Sequence, residues 1–210
     1  MRPSIVLGVD RADCSRVIGR YADSYWVNGC MPVVYATTAS IDIGRVMKGL
    51  PLHAVMWSIA GRSGPSFEEH LDHALLRCGV SRVHCFILDG PDPDMALEDV
   101  LADIDHAHGR FTIWGISGFS AEQCGRITEI CVSSGITHPS VFVGHPSEDI
   151  VGWVRRHGMS MWVPGENDAI IVDPMLTERD RIIVDTDRFD EVVETWMTLS
   201  FRSLMSKKTL

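Results

Sequence analysis

With 210 residues, the chain has the length of one large domain or two small ones. Hydrophobic residues make up 45% and charged residues 22% of the sequence, both ordinary for a globular protein, and no apolar run approaches the roughly 20 residues that span a membrane. The net charge of −9 disfavours a nucleic-acid partner, which needs a basic surface, and a polyanionic cofactor outside a local basic pocket.

The N-terminal apolar stretch is followed by an acid too soon for a signal peptide, so we expect a cytoplasmic protein with no membrane partner. The six cysteines form no C-x-x-C pair and have no zinc-site spacing, which favours reduced, buried thiols. No phosphate loop, nucleophile elbow or carboxylate–histidine cluster indicates a bound metal.

Strand-like and helix-like segments alternate along the whole chain with short connections and no linker. The predicted strands are 4–10, 31–38, 53–61, 82–89, 110–117, 140–145, 159–165, 168–173 and 181–187. The predicted helices are 14–29, 66–79, 94–109, 120–135, 147–158 and 189–201.

Helices 94–109 and 120–135 are among those that carry start signals. Asp94 is the expected N-cap of helix 94–109, and Gly109 is its expected terminator. Ser120 is the expected N-cap of helix 120–135, with Glu122 in the first turn.

Alternation of strands and helices predicts an α/β fold with a parallel sheet wrapped by helices. Eight or nine strands favour a closed, compact (β/α)8 barrel of the TIM type over an open doubly wound sheet. We therefore expect a single domain over 1–210. Its length is short for such a barrel, for which about 250 residues is typical, so the C-terminal region is expected to be trimmed.

Four motifs between Ser66 and Ser120 resemble the aldo-keto reductases in order and spacing, with a helix ending like "SLxRLG", then "DLxxLHxPD", a second helix and "GxSNF". In this chain they read "ALLRCG" (74–79), "HCFILDGPD" (84–92), "LEDVLADIDHAHGR" (97–110) and "IWGISGFS" (113–120). The likeness continues more weakly through 138–147 and 154–165, covers about three quarters of the chain, and is nearest the aflatoxin-aldehyde reductase branch.

The resemblance implies that the catalytic tetrad of this family is lost. The family's His falls at Asp89, its Lys at Ile59, and its Asp and Tyr near Val34 and Ala39. Without the Tyr there is no phenolic proton donor, and without the Lys nothing activates one.

The resemblance also implies an eroded nicotinamide site. The family's Ser-Asn pair reads Ser117-Gly118, and its Gln and stacking Tyr align with Val143 and near Pro146. The late loops that should hold the adenosine phosphates are acidic and would repel them; they carry Asp173, Asp185 and Asp187. We therefore expect no cofactor and a shortened, divergent relative of the family.

In a barrel of this type, function lies at the C-terminal ends of the strands. Asp89 ends the strand of "FILDGPDPD" and is the main candidate acid/base; its alternative role is an Asx-type turn start before Gly90. We expect Asp89 to share an inward face with Ile87. Asp10 and His145 are candidate partners at other strand ends.

A substrate pocket at the C-terminal ends of the strands is expected to combine aromatic walls with hydroxyl donors and one positively charged side chain. Core packing is the alternative for the aromatic residues. The candidate substrate-binding residues are Trp57, Trp114, Trp162, Tyr35, Ser58, Arg62 and Ser117.

Three functions remain open. The first is a non-redox enzyme that isomerises, cyclises or dehydrates a mostly apolar carbonyl-containing metabolite by acid/base chemistry. The second is a non-catalytic small-molecule-binding pseudo-reductase. The third is a residual NADPH-dependent carbonyl reductase. The substrate and the oligomeric state, with a homodimer as one option, are not determined by the sequence.

Overall fold

The computed structural model describes residues 4–9, 33–37, 54–60, 67–78, 80–90, 96–165, 175–177 and 179–185. In the first three strands, at some positions of the first described helix and at the end of the last strand, it describes the backbone only. The predicted helices 14–29 and 189–201 and the predicted strand 168–173 lie outside the described residues. No helix in the described ranges has both the length and the apolar character of a membrane span.

Within the described ranges, eight parallel strands form the sheet. Each strand pairs with the next along the chain, and β8 also pairs with β1, from Ser4 against Arg181 to Gly8 against Asp185. The strands are β1 Ser4–Val9, β2 Val33–Thr37, β3 Ala54–Ala60, β4 Val83–Asp89, β5 Phe111–Ser117, β6 Val141–Val143, β7 Ser160–Pro164 and β8 Arg181–Asp185.

In the described part of the chain, helices follow four successive strands, from β3 to β6. They are α1 Phe67–Cys78, α2 Leu97–His106, α3 Ala121–Ser134 and α4 Glu148–Arg156, and a 3-10 turn, His108–Arg110, follows α2. Parallel strands joined through helices are the α/β arrangement of the TIM-type fold, and the predicted alternation is confirmed at this level.

The two predicted helix starts have different outcomes. The Ser120 hydroxyl accepts from the backbone N–H of Gln123, whose side chain accepts from the N–H of Ser120, so the predicted N-cap is confirmed as a capping box. The prediction for 94–109 is wrong at both ends: Ala96 is the N-cap and makes no side-chain bond, and the α-helix ends at His106. Acidic residues in the first turn of α2 stabilise its N-terminus through the helix dipole instead.

The sheet separates two apolar clusters. We call the first the outer cluster: it contains Phe86 and Leu88 of β4 and packs them against the helices. We call the second the inner cluster; its members come from strands alone and are Cys85, Ile87, Val141, Val143, Trp162 and Ile183. Neighbouring residues of β4 thus point to opposite faces of the sheet, as the pleat requires.

Gly115 of β5 makes room within the inner cluster. A Cβ at Gly115 would lie 2.5 Å from the Val141 carbonyl oxygen and 2.8 Å from the Ile87 Cδ1. No side chain fits at these distances, because close-packed interiors do not yield by an ångström without cost. Ile87 therefore fills the space that a residue other than glycine would occupy.

A fully buried carboxylate fixes the start of β8. Asp180 is 0% exposed, and its oxygens accept from the Arg155 guanidinium at 2.8 and 2.5 Å, from the Met161 N–H at 2.8 Å, and from the N–H and hydroxyl of Thr177 at 2.6 and 2.9 Å. Arg155 also donates to the Met175 carbonyl at 3.0 Å. We call this arrangement the Asp180 clasp; it joins α4 and β7 to the segment before β8.

The hydrogen bonds of the clasp determine the ionisation of Asp180. Burial alone would raise its pKa, but the bonds from Arg155, Met161 and Thr177 outweigh burial and hold the pKa below the ordinary value. Asp180 is therefore a carboxylate anion at neutral pH, and the clasp is a buried ion pair with its remaining acceptor sites satisfied.

Three cysteines with described side chains, Cys85, Cys124 and Cys131, are buried free thiols, as predicted. Burial raises the pKa of Cys124 and of Cys131 to about 11, and it raises the pKa of Cys85 further. These thiols are therefore protonated and poorly nucleophilic at neutral pH. The side chains of Cys14, Cys30 and Cys78 lie outside the described part of the chain.

Candidate active site

The C-terminal ends of β4 and β5 lie side by side. Asp89, the last residue of β4, is in register with Ser117, the last residue of β5. The Gly90 N–H donates to the Ser117 carbonyl at 2.6 Å, so the pairing continues one residue beyond β4. A carboxylate and a hydroxyl-bearing residue thus end adjacent strands, at the end of the sheet where α/β barrels carry their sites.

Two glycines follow these two residues in the left-handed conformation. Gly90 has φ 63° and Gly118 has φ 76°, a region in which other residues are strained. A Cβ on Gly118 would lie 3.2 Å from the Gly90 Cα and 3.8 Å from the Asp89 Oδ1. Because Gly118 has no side chain, it does not cover this edge of the Asp89 carboxylate.

Asp89 lies on the inner-cluster side of β4 by strand alternation, since Cys85 and Ile87 belong to that cluster. Its side chain is half-buried. Within the described part of the chain, the carboxylate accepts no hydrogen bond and forms no ion pair. Residues 91–95, which follow Gly90, lie outside the described residues, so the alternative role of Asp89 as the start of an Asx-type turn stays a prediction.

Trp114 does not line the C-terminal end of the sheet, and the expectation for it is corrected. It is 2% exposed, belongs to the outer cluster and donates from Nε1 to the Thr137 carbonyl at 2.7 Å. Its position in β5 is in register with Phe86, which faces the helices. The aromatic ring therefore packs the sheet against the helix layer.

Trp162 also lies elsewhere than expected. It is an inner-cluster residue, 2% exposed, and its Nε1 donates to the hydroxyl of Ser160, the first residue of β7, at 3.0 Å. The indole N–H is thus directed to the N-terminal end of the strand. Core packing, the alternative to pocket lining, describes both Trp114 and Trp162.

His145 follows β6 by two residues and is exposed. The sequence placed His145 at the end of the strand 140–145, whereas in the structure it lies on the loop after β6, at the same end of the sheet as Asp89. Its role as a partner in acid/base chemistry stays a prediction.

Five other candidates are located by backbone alone or not at all. Tyr35 is in register with Met56, Trp57 with Phe86 and Ser58 with Ile87, while the side chains of these strands are outside the described part. Asp10 and Arg62 lie outside the described residues. Their assignment to the site stays a prediction.

In the sequence, Gly118 is noted only because it replaces an Asn. That Gly90 and Gly118 form a pair of positive-φ residues after adjacent strands is evident only in the structure. The signal was present in the chain: Asp-Gly and Ser-Gly end two consecutive strands, and such dipeptides mark turns that need a positive φ. The Asp180 clasp was missed as well, because its partners are distant in sequence.

At two positions where the family resemblance implies amide side chains that contact a nicotinamide, the described residues carry no amide group. At the position expected for an amide side chain, Val143 is 4% exposed within the inner cluster. At the other amide position, Gly118 has a conformation and a neighbour, Gly90, that disfavour any side chain.

Among the described residues, no three His, Cys, Asp or Glu side chains are grouped to hold a metal ion.

Comparison with solved structures shows similarity in fold to an aldo/keto reductase from Klebsiella pneumoniae in complex with NADP and acetate. The TM-score is 0.63 at 14% sequence identity, and the match covers 77% of this chain. The chain spans 63% of the length of that reductase. A scan against models of protein families finds no match. A search of curated proteins finds none either.

Proposed function

We propose that the protein is a cofactor-independent enzyme that isomerises, cyclises or dehydrates a mostly apolar, carbonyl-containing metabolite, with Asp89 as its acid/base. In this proposal the fold is a compact, trimmed (β/α)8 barrel that diverged from the aldo-keto reductases near the aflatoxin-aldehyde reductase branch. The observation that carries the proposal is the half-buried Asp89 carboxylate, which has no bonding partner among the described residues.

A structural role would give Asp89 partners, because removing a polar group from water costs free energy unless its hydrogen bonds are replaced. Asp180 has such partners in full, whereas Asp89 has none in the described part of the chain. A carboxylate that no described residue bonds, at the C-terminal end of a parallel sheet, is a candidate group for contact with a ligand. Ser117, in register with it, offers a hydroxyl that could orient a carbonyl oxygen.

The chemistry follows from the groups present. Isomerisation, cyclisation and dehydration of carbonyl compounds share one early step, removal of a proton from the carbon next to the carbonyl. A carboxylate can accept this proton and return it to another atom of the same molecule. Such a step consumes no hydride, so it is compatible with Val143 and Gly118 at the positions where amide side chains would hold a nicotinamide.

The test is solvent exchange at that carbon. The protein is incubated in D2O with a panel of simple apolar ketones and aldehydes, and deuterium incorporation is followed by NMR. We expect exchange of at least one panel member above the protein-free rate and a loss of about 100-fold or more in Asp89→Asn, the scale of general acid/base catalysis. Asp105→Asn, a matched change on the exposed surface of α2, should keep the full rate.

Full activity of Asp89→Asn would place the chemistry on another residue and overturn the assignment. Ligand binding that survives Asp89→Asn, with no exchange in either protein, would favour the small-molecule-binding pseudo-reductase. A residual reductase is the further candidate, favoured by the similarity to a solved reductase that binds NADP. Low-micromolar NADPH binding, measured by fluorescence quenching, would support it against the first proposal.

A further inference from the structure

Gly118 lies beside the Asp89 carboxylate on the neighbouring strand. It directly follows β5, and it is exposed. A Cβ built on Gly118 would point toward β4, where it would lie 3.2 Å from the Gly90 Cα and 3.8 Å from the Asp89 Oδ1. The volume that a side chain would fill here therefore adjoins both the carboxylate oxygen and the solvent.

The backbone alone does not explain why this residue is glycine. The φ of 76° at Gly118 turns the chain from the sheet toward the helices, so that Phe119 enters the outer cluster and Ser120 caps α3. Asn also adopts a positive φ, so the turn by itself would accept it. What disfavours a side chain at Gly118 in addition is the close approach of Gly90 and Asp89.

The polar groups on either side of this volume are spaced for a carbonyl compound. Asp89 and Ser117 are in register, and neighbouring strands lie about 4.8 Å apart. A carbonyl group and the carbon next to it bridge such a spacing, with the oxygen toward the Ser117 hydroxyl and the carbon toward the carboxylate. Ile87 precedes Asp89 on the same face, and Val143 is in register with Ser117, so the adjoining strand positions are apolar.

We infer that Gly118 determines the substrate class of the candidate active site: the substrate reaches the Asp89 Oδ1 over Gly118, and the carbon that loses its proton is unbranched. The inference rests on Asp89 as the acid/base of the proposed function. A carbon at the Cβ position already lies 3.2 Å from the Gly90 Cα, closer than the roughly 3.5–4.0 Å of an ordinary carbon–carbon contact. A branch on the Gly90 side therefore has no room, and the substrates are ketones or aldehydes with a CH2 or CH3 group next to the carbonyl.

Isopropyl methyl ketone tests this selectivity within one molecule, because it has a methyl and a methine carbon next to the same carbonyl. Deuterium exchange at the two carbons in D2O is followed by NMR, with the full-length protein and with acetate as an unselective carboxylate. We expect the methyl-to-methine ratio of the exchange rates to be about tenfold or more higher with the protein, the scale on which one carbon too many is rejected.

Gly118→Asn fills the volume while it keeps a residue type that accepts a positive φ. Exchange at the methyl carbon should fall about 100-fold, the cost of displacing a reacting atom by about 1 Å. The control is Gly135→Asn at the C-cap of α3, where φ is 70° and no atom of the described residues lies within 4 Å of a Cβ. This variant should exchange like the wild type. If Gly118→Asn does not fold by circular dichroism, Gly118→Ala serves in its place.

Chemical labelling measures access to Asp89 without any turnover. A water-soluble carbodiimide modifies carboxyl groups, and peptide mass spectrometry gives the rate at Asp89 relative to the exposed Asp105 of α2. Gly118→Asn should slow this relative rate about tenfold or more, since it holds the reagent away from the carboxylate; Gly135→Asn should not change it. Slowed labelling together with no exchange of any ketone would refute the proposed function and still support Gly118 as the point of access.

Two results would overturn the inference. One is wild-type labelling of Asp89 in folded Gly118→Asn, which would show that the carboxylate is reached from another side. The other is a methyl-to-methine ratio equal to that of acetate in a protein that catalyses exchange, which would show that Asp89 does not discriminate against a branched carbon.

Discussion

Two aspartates stand at opposite ends of the sheet in opposite circumstances. Asp89 ends β4, is half-buried and has no bonding partner in the described part of the chain, whereas Asp180 precedes β8, is 0% exposed and accepts five hydrogen bonds. The same side chain thus serves as a structural anchor at one end and stays available at the other. The difference lies in the donors that surround each carboxylate.

The comparison is tested most strongly by the same substitution at both positions. Asp180→Asn should lower the free energy of unfolding by about 3 kcal/mol, because it leaves the Arg155 charge of a largely buried pair without its counter-ion. Asp89→Asn should change it by no more than about 0.5 kcal/mol. Urea denaturation of both variants measures the two values.

An exposed ion pair supplies the control for Asp180. Asp72 pairs with Arg110 at the surface, where the Asp72 side chain is 60% exposed. Asp72→Asn should cost less than about 1 kcal/mol, as surface pairs do. Equal costs at Asp72 and Asp180 would mean that the clasp contributes no more than a surface contact.

Substitutions of the two glycines beside Asp89 test the backbone at the C-terminal end of the sheet. Gly90→Ala should cost about 1–2 kcal/mol, because its φ of 63° is strained for alanine although nothing lies within 4 Å of the new Cβ. Gly118→Ala should cost about 1 kcal/mol more, because its Cβ would meet the Gly90 backbone at 3.2 and 3.4 Å. Thermal or urea unfolding separates the two effects; equal costs would argue against the close approach.

Acid should remove the difference between wild type and Asp180→Asn. The pKa of Asp180 in the folded protein lies below its ordinary value of 3.8, so its contribution to stability is complete above that pH. As the pH falls below 3.8 toward the folded pKa, the unfolded chain binds the proton first and the contribution declines. Unfolding free energies measured from neutral to acidic pH should converge for the two proteins, and a constant gap would contradict the depressed pKa.

The strands β4 and β5 and the helix α3 were predictable because their signals are local. The apolar run of β4 ends at an acid and a glycine, and α3 begins with a capping box that reads directly from Ser120 and Gln123. The prediction of Asp94 as the N-cap of α2 was wrong, because a capping residue type does not by itself fix where a helix starts. Ala96 is the N-cap, and it makes no side-chain hydrogen bond.

The orientation of the tryptophans could not be derived in the same way. Trp114 lies in a strand whose two faces are both apolar, because one packs on helices and the other on the inner cluster. With no alternation of polar and apolar residues, nothing local indicates which face is inside. The partners of Asp180 could not be predicted either, because no local pattern indicates them: Arg155 lies 25 residues away, and Met161 contributes only its backbone N–H.

The Asp180 clasp has a further consequence through its covalent neighbour. Arg181 follows Asp180 directly, and successive residues of a strand point to opposite faces. The clasp holds the peptide between Asp180 and Arg181 in place. The Arg181 side chain therefore extends from a fixed backbone position on the opposite face of the sheet, where it contacts the Trp162 ring. Much of the rotational freedom of this long side chain is therefore lost when the protein folds.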